Sequence, residues 1–585
     1  NIYGDEYGMV VEDFFDPHPP ETQEEADKIK TAIEKLPLYQ GNLVSRDHTA
    51  TLIIAELIDE EQAEETYRNF MEIADSAPTR NGEKIHVAGE GAITGYLGAY
   101  IDNDAQRLNP MAGVIITIIL FIAFRTIRGA ILPNIIVGAT VASAIGLMAA
   151  FGIAFFVVTN ALIVILIGIA VADSIHIFSQ YYEEYAKRPE VDAREVVIHT
   201  MTEMWRPITL TTFTTVAGFI GLYLASEMPP FRYLGLFSAI GVVVAWLYSL
   251  TFLPAALTLL KVKPGKAYKI SSVGNREVDN FGRFMGKVGQ LVISNSTLVV
   301  AVGLIVTTLG IYGAFSIEIN EDRIETFHTT EPIFIADRVI NERMDGTNNL
   351  DIVIETPNSE DLFEPTNLAK IEALQAYVET LPSVGGSTSV VDFIKQMYKS
   401  LNESDEAYYI IPNNKDLIAQ LFLLYSASGD PTDFEEEIDY DYRLANIRVN
   451  INTGLFSENK KVTEHLQRYI DSQFNEAGVI KATLSGRVNL NVNWVANIGN
   501  SHFLSVAIAL ILILIMASLV FGSFTAGLFS LIPVVSAILI IYAMMGAFDI
   551  WLGIGTSMFA SIAIGLGVDF SIHTIDRVKH LFANR

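Results

Sequence analysis

The chain has 585 residues, half of them hydrophobic and only 18% charged, with a formal net charge of −28. The negative charge lies in two blocks: residues 1–109 hold 23 Asp and Glu against 8 Lys and Arg, and residues 316–502 hold 31 against 14. Such blocks would repel a phosphate backbone, which excludes nucleic acid as a partner. The sequence has no cysteine, which excludes disulfides, thiol catalysis and thiolate metal sites.

Long apolar runs lie between and after the acidic blocks. A helix needs about 20 mainly apolar residues to cross the hydrocarbon layer of a membrane. Nine stretches approach or meet this length: 110–125, 129–151, 160–181, 208–226, 232–260, 293–315, 503–521, 526–547 and 555–576. The first is short, but the polar residues upstream can extend its helix. The sequence therefore predicts a polytopic membrane protein with two large acidic domains outside the bilayer.

The basic residues of the short loops predict the orientation. Lys and Arg cluster in the turn after the first span, in the loop after the third, and in the linker 261–288, which carries seven of them. The loops 152–158 and 227–231, on the opposite side, have none. Since Lys and Arg are retained on the cytoplasmic side, the basic loops are predicted to be cytoplasmic and the acidic domains to lie on the other side.

The acidic blocks have the pattern of mixed α/β domains. In the first block, 48–57 and 84–88 are predicted as strands and 60–77 as a helix. In the second, strand-like 350–355 and 446–452 alternate with helical 367–381 and 458–474, and the acidic stretch 430–441 is predicted as a loop. Alternation of this kind predicts small split βαβ sandwiches.

The sequence contains a repeat at an offset of 397 residues. Residues 87–89 match 484–486, and the Ser-Ile-His at 174–176 matches the same tripeptide at 571–573. Leu132-Pro133 matches Ile532-Pro533 at an offset of 400, which suggests a local drift of three residues. Two parallel copies of this kind are typical of transporters whose halves are related by an axis along the membrane normal.

The repeat predicts that the sequence is a fragment of a longer chain. Residue 1 corresponds to residue 398, so the first copy would lack one span and a first subdomain. The second copy would lack two spans after residue 585. A complete molecule would have twelve spans. The expected fold class is an α-helical polytopic membrane bundle, with nine spans seen and twelve expected, two α+β extramembrane domains and a parallel twofold repeat.

Two predicted spans contain ionisable residues. Residues 168–176 read Gly-Ile-Ala-Val-Ala-Asp-Ser-Ile-His, and residues 565–573 read Gly-Leu-Gly-Val-Asp-Phe-Ser-Ile-His. Asp173 and His176 share one helix face, as do Asp569 and His573. At 1.5 Å per residue both aspartates lie about 20 Å into the bilayer. Ionisable residues at that depth are costly and are functional by default, so these four residues are predicted to form a proton relay. The alternatives are a static Asp–His ion pair that joins two helices and a histidine that merely caps a helix near the membrane interface.

Other residues could support the relay. The hydroxyls of Ser174, Ser571, Thr211, Thr212 and Thr215 are candidates, although most threonines of this span are expected to bond carbonyls of their own helix. Gly168, Gly565 and Gly567 are expected to allow close helix packing.

No metal site, cofactor site or enzyme active site is predicted. His86, His199, His328 and His465 are isolated in the sequence and are interpreted as surface residues, and no nucleophile–base arrangement is visible. Residues 278–292 form an amphipathic segment that either lies on anionic lipid or simply connects the two halves.

These features resemble the resistance–nodulation–division (RND) superfamily, in particular its MMPL-type branch of hydrophobe and lipid exporters, with similarity to sterol-sensing transporters such as Patched. The resemblance covers nearly the whole chain and implies that Asp173 and Asp569 are the relay carboxylates. It also implies that the extramembrane domains are porter domains. The family often pairs Asp with Tyr or Asp, whereas this chain has Ala172-Asp173 and Asp569-Phe570, one position out of register.

The resemblance implies the following domains: a porter domain at 1–109, five spans at 110–260, a cytoplasmic linker with an amphipathic helix at 261–292, a span at 293–315, a second porter domain at 316–502 and further spans at 503–585.

The implied function is proton-driven export of hydrophobic or lipid-like molecules from the bacterial inner membrane, with the porter domains in the periplasm. The expected partners are protons, the lipid-like substrate and membrane lipids, with a homo-oligomer (dimer or trimer) or a periplasmic protein as further candidates. The alternatives are a secretion accessory similar to SecDF and a sterol or lipid sensor that does not transport.

Overall fold

The computed structural model describes residues 2–5, 8–12, 14, 18–78, 82–187, 191–260, 280–429 and 434–583. The chain divides into two compact units. Residues 1–99 and 320–495 form the first, here called the α/β unit, and residues 100–319 and 496–585 form the second, here called the helical unit. Both acidic blocks of the sequence thus contribute to the α/β unit.

The α/β unit contains six strands and seven helices that begin and end within it. The strands are β1 (Ile2–Asp5), β2 (Gly8–Val11), β3 (Asn348–Glu355), β4 (Val384–Ser389), β5 (Leu444–Ile451) and β6 (Lys481–Ser485). The helices are α1 (Gln23–Glu34), α2 (Ala63–Ser76), α11 (Pro332–Arg343), α12 (Pro365–Val378), α13 (Val390–Leu401), α14 (Lys415–Ser428) and α15 (Phe456–Tyr469).

The main sheet has the order β4-β5-β3-β6, with every neighbouring pair antiparallel. Helices α12 and α15 follow β3 and β5, so the sheet has the split βαβ arrangement that the sequence predicts for the second block. Leu350, Ile352 and Ile354 alternate along β3, are fully buried, and lie opposite Val449, Ile447 and Ala445 of β5. One face of the sheet is therefore the core of this unit.

The strand predictions for the first block are wrong. Residues 48–57 and 84–88 form no strand in the part of the chain that the structure describes, and Ile53 and Ile58 are almost fully exposed. At the repeat offset these segments correspond to β5 and β6, which are held on either side of β3. Among the described residues, 48–57 makes one isolated bridge, between Thr51 and Val44, and 84–88 makes none, so neither segment has the ladder of backbone hydrogen bonds that defines a strand.

The remaining elements belong to the helical unit, although α3 and α16 begin in the α/β unit. They are α3 (Glu90–Phe124), α4 (Ile127–Ala150), α5 (Asn160–Lys187), α6 (Ala193–Ala225), α7 (Pro229–Leu250), α8 (Phe252–Leu260), α9 (Asn280–Ser294), α10 (Ser296–Ala314), α16 (Gly486–Phe521), α17 (Phe524–Ala547) and α18 (Ile554–Ala583). Within the described residues, nine helical segments are long and apolar enough to cross a membrane, as the sequence predicts. The protein is a multi-pass membrane protein.

In the structure the offset between the two copies stays at 397 residues through α4 and α17. Helices α4 and α17 are 397 residues apart at both ends. Thr126 and Ser523 are their N-caps, and each side chain accepts a hydrogen bond from the amide three residues later. The predicted drift to an offset of 400 is wrong, because Pro133 and Pro533 lie at different positions in these two helices.

The turns of the two copies also match. Arg125 and Gly522, which precede the N-caps, both have a left-handed backbone, with φ of 50° and 60°. Gly152 and Asp549, after the same helices, have φ of 66° and 52°. A non-glycine residue with positive φ is uncommon, so two glycine/non-glycine pairs at the same offset indicate that each turn keeps its geometry in both copies.

The amphipathic segment forms helix α9, whose residues from 283 onward are mostly exposed. The basic part of the linker, 261–279, and residues 430–433 of the predicted acidic loop lie outside the described residues.

The α/β unit contains one buried carboxyl group with a testable pH dependence. Glu437 is 8% exposed, and burial raises the pKa of its carboxyl from 4.5 to about 7, although Arg448 acts in the opposite direction. A folded pKa above the unfolded one means that the folded state binds more protons between pH 4.5 and 7. Stability is therefore lost as pH rises through this window.

We expect Glu437→Gln to raise the free energy of unfolding at pH 8 by up to about 3 kcal/mol and to flatten its dependence on pH between 5 and 8. The measurement is chemical unfolding of the purified protein at several pH values. Glu464→Gln, which changes an exposed glutamate of α15, is the control. Equal pH dependence in wild type and Glu437→Gln would contradict the assignment.

Candidate functional site: the contact between the two repeats

The site is the place where α5 of the first repeat meets α18 of the second. His176 of α5 and His573 of α18 stack with ring centroids 4.3 Å apart and an interplanar angle of 30°. They are equivalent residues, since their numbers differ by 397. A residue that contacts its own counterpart lies on the axis that relates the two copies. The rings therefore mark this axis within the helical unit.

The two predicted carboxylates lie beside the stacked rings on the same helices. Asp173 is 8% exposed, and it lies close enough to Asp569 to interact with it electrostatically. The structure thus brings together all four residues that the sequence places in the relay. Their role as a proton relay stays a prediction.

The shift of one residue between the two aspartates has a structural consequence. The counterpart of Asp173 at the repeat offset is Phe570, whose side chain is 77% exposed. Asp569 is one residue earlier, which rotates its side chain by about 100° around the helix and brings it to Thr215 of α6. The two carboxylates therefore have different neighbours, although their helices are equivalent.

Thr215 of α6 has a hydroxyl that faces α18, the helix that carries Asp569. Its hydroxyl donates to the carbonyl oxygen of Gly565 at 2.9 Å and lies 3.5 Å from Oδ1 of Asp569. Thr211 and Thr212 instead donate to the carbonyl of Ile208 in their own helix. This is the behaviour that the sequence predicts for most of this group.

The two serines of the repeated Ser-Ile-His tripeptide differ. Ser174 donates to the carbonyl of Ala170 one turn earlier. Ser571 is buried, and no hydrogen-bond partner of its hydroxyl occurs among the described residues. A buried hydroxyl without a partner is unfavourable, so the two copies differ in how this serine is satisfied.

Close helix packing depends on one of the three predicted glycines. A Cβ at Gly565 would lie 3.3 Å from Cγ2 of Thr215, which is a tight contact. A Cβ at Gly567 would make only an ordinary contact with Val534, and one at Gly168 would meet nothing within 4 Å. Within the described part of the chain Gly168 therefore makes no close helix contact, whereas Gly565 lies at a tight contact between α18 and α6.

The sequence analysis missed a second buried histidine. His502 of α16 is 3% exposed, with Nδ1 3.0 Å from the carbonyl oxygen of Ser557 and Nε2 2.6 Å from the hydroxyl of Tyr542. Because a carbonyl only accepts, Nδ1 carries a proton, and Nε2 of the neutral ring accepts from Tyr542. The sequence predicts that this span begins at residue 503, which leaves His502 just outside it. An ionisable residue directly before an apolar run is the signal that could have identified His502.

A family model described as the MMPL family matches residues 10–285 and 338–584, which is most of the chain. The chain belongs to the MMPL family. The resemblance inferred from the repeat and its Gly/Asp motifs is confirmed.

Several curated proteins are similar to parts of the chain. The chain is 23% identical over 435 residues to the probable transport protein MmpL2 of Mycobacterium tuberculosis, covering 69% of this chain and 44% of that protein. It is 27% identical over 190 residues to the hopanoid transporter HpnN of Burkholderia multivorans, covering 32% and 21%. The chain thus spans less than half the length of these relatives.

Among solved structures, the hedgehog release protein Disp of the water bear Hypsibius dujardini, determined by cryo-EM, is similar in fold. The TM-score is 0.57 at 15% sequence identity, covering 83% of this chain and 62% of Disp. This likeness supports the fold of the MMPL chain and concerns the fold alone.

The contact of His176 with His573 can be tested directly, because the chain contains no cysteine. We expect the double variant His176→Cys/His573→Cys to form an intramolecular cross-link in high yield with a short bifunctional thiol reagent. Mass spectrometry of the digested protein detects the product. The control is His176→Cys/Phe570→Cys, since Phe570 points outward. Equal yields in the two double variants would contradict the stacking.

Proposed function

We propose that the protein is a proton-driven exporter of hydrophobic or lipid-like molecules in a bacterial inner membrane. The observation that carries the proposal is the contact of His176 with His573, flanked by Asp173 and Asp569. Four ionisable side chains at the meeting point of two membrane bundles are costly unless they serve ion or proton movement. The relative named as a hopanoid transporter supports a lipid-like cargo.

The stacked histidines favour transfer of one proton at a time. Two positive imidazolium rings 4.3 Å apart would repel each other by about 4 kcal/mol at an effective dielectric constant of 20. The pair therefore holds a single proton more readily than two. A proton that arrives at one ring favours departure of a proton from the other, and the carboxylates on either side supply and receive it.

The bonds of Thr215 connect the protonation of Asp569 to the contact between α6 and α18. A hydroxyl has one proton to donate. When Asp569 is protonated, its carboxyl can donate to the Thr215 oxygen while Thr215 keeps its bond to Gly565. When Asp569 is ionised, Thr215 can donate to it only by giving up Gly565. Proton release thus changes the bond between a helix of the first repeat and one of the second.

The membrane potential provides the driving force. Each elementary charge that crosses the membrane releases about 2.3 kcal/mol per 100 mV. This free energy is comparable with that of the hydrogen bond that Thr215 exchanges between Gly565 and Asp569. In our proposal the basic loops are cytoplasmic and the α/β unit lies in the periplasm, where it receives the cargo. Protons then enter from the periplasmic side and leave toward the cytoplasm.

We expect lipid-stimulated proton flux into liposomes that contain the purified protein, measured with an enclosed pH dye after a pH gradient is imposed. Asp173→Asn and Asp569→Asn should each lower this flux at least tenfold, because an amide cannot bind and release the proton. Asp102→Asn, which changes an exposed aspartate of α3, should leave the flux unchanged.

Three outcomes of the same experiment would contradict the proposal. The first is unchanged flux in the two relay variants. The second is lipid binding by a wild-type protein that moves no protons, the behaviour of a lipid sensor. The third is stimulation by an unfolded polypeptide and not by extracted membrane lipids, the behaviour of a secretion accessory.

A further inference from the structure

A second cluster of ionisable residues lies between α5 and α6, separate from the stacked histidines. Gln180 and Glu184 are one turn apart on α5, and His199 and Glu203 are one turn apart on α6. Gln180 donates to Glu203, and His199 contacts Glu184. The residue numbers of the two contacting pairs, Gln180 with Glu203 and Glu184 with His199, have the same sum. This is expected where two antiparallel helices face each other. The sequence analysis interprets His199 as an isolated surface residue; its side chain is 38% exposed, but it is not isolated, because it contacts Glu184 and Glu203.

The potential ligand atoms of this cluster converge. Nδ1 of His199 is 3.4 Å from Oε2 of Glu184 and 3.9 Å from Oε1 of Glu203, and one ligand atom from each residue lies within 4.8 Å of the other two. In a tetrahedral zinc site, ligand atoms at 2.0–2.2 Å from the ion are separated by roughly 3.3–3.6 Å. The Glu203 side chain is 43% exposed, so it can close the remaining gap without moving the helices.

His199 favours a cation at this point in one of the two neutral tautomers of its ring. Nδ1 is buried and makes no hydrogen bond within the described residues. If the ring is neutral with its proton on Nε2, the Nδ1 lone pair faces two carboxylates and is repelled by them. Either a proton or a metal ion relieves this repulsion, and a metal ion alone can bond all three groups at once.

We propose that Glu184, His199 and Glu203 bind a divalent transition-metal cation, of the class represented by Zn²⁺. An imidazole nitrogen with two carboxylate oxygens suits zinc and its neighbours better than Ca²⁺ or Mg²⁺, which take oxygen ligands only. The cation neutralises both carboxylates. Gln180 donates a hydrogen bond to Oε2 of Glu203, the carboxylate oxygen that does not face His199. Hydrogen bonds of this kind orient the ligands of metal sites.

The site would join the two helices that carry the first half of the candidate relay. Helix α5 carries Asp173 and α6 carries Thr215. A cation held by Glu184 on one helix and by His199 and Glu203 on the other fixes their relative position. This inference does not depend on proton transport, because the ligands are distinct from the relay residues.

The test is equilibrium dialysis of the purified, chelator-treated protein against Zn²⁺ at pH 7.5, with metal analysis of the retained protein. We expect one Zn²⁺ per chain, and at least a tenfold rise in Kd in His199→Ala and in Glu203→Gln. The second variant changes a partly exposed side chain and keeps its shape, so it preserves folding. The control His465→Ala removes an exposed histidine of α15 that faces its own helix, and it should bind Zn²⁺ like the wild type.

The same samples give a second measurement, the rise of Tm on adding Zn²⁺. We expect a rise in the wild type and in Asp173→Asn, and a smaller one in His199→Ala. Absence of stoichiometric Zn²⁺ binding by the wild type would overturn the proposal. Unchanged Kd in both ligand variants would also overturn it.

Discussion

The contact between His176 and His573 is the constraint on which the helical unit depends. Because the two residues are equivalent, their stacking marks the axis of the repeat, beside which α18 packs on α6. The α/β unit shows the same principle: Arg487, at the start of α16, donates to Glu90, its counterpart at the start of α3, and Arg323 donates to the same carboxylate. In each unit, the first and second copies meet through equivalent positions with ionisable side chains.

The two copies agree in backbone and differ in chemistry. The turns around α4 and α17 keep their left-handed residues and N-caps, so the same framework is built twice. On it, Asp173 and Asp569 lie one residue apart in register, and Thr215 contacts only the second. A symmetric pair of carboxylates would respond identically to a proton. The shift gives one of them a partner on α6, which allows its protonation to change a bond between the two copies.

Much of this arrangement could be predicted from sequence, because membrane spans and their charged interruptions leave strong local patterns. Asp173, His176, Asp569 and His573 stand out as ionisable residues in apolar helices, and the offset of 397 pairs the histidines. Contacts between helices leave no such pattern: the bond from Thr215 to Gly565, the approach of His199 to Glu184 and the partners of His502 depend on packing. The strands predicted at 48–57 and 84–88 failed for a related reason, since a strand needs a neighbour that local sequence does not reveal.

The central claim is that Asp173 and Asp569 take up and release protons at the contact between the repeats. Infrared difference spectroscopy of the purified protein in lipid, recorded as the pH is lowered, tests it most directly, because a newly protonated carboxyl group gives its own C=O stretching band. We predict a band that is reduced in each of Asp173→Asn and Asp569→Asn and further reduced in the double variant. A spectrum of the double variant identical to that of the wild type would contradict the account.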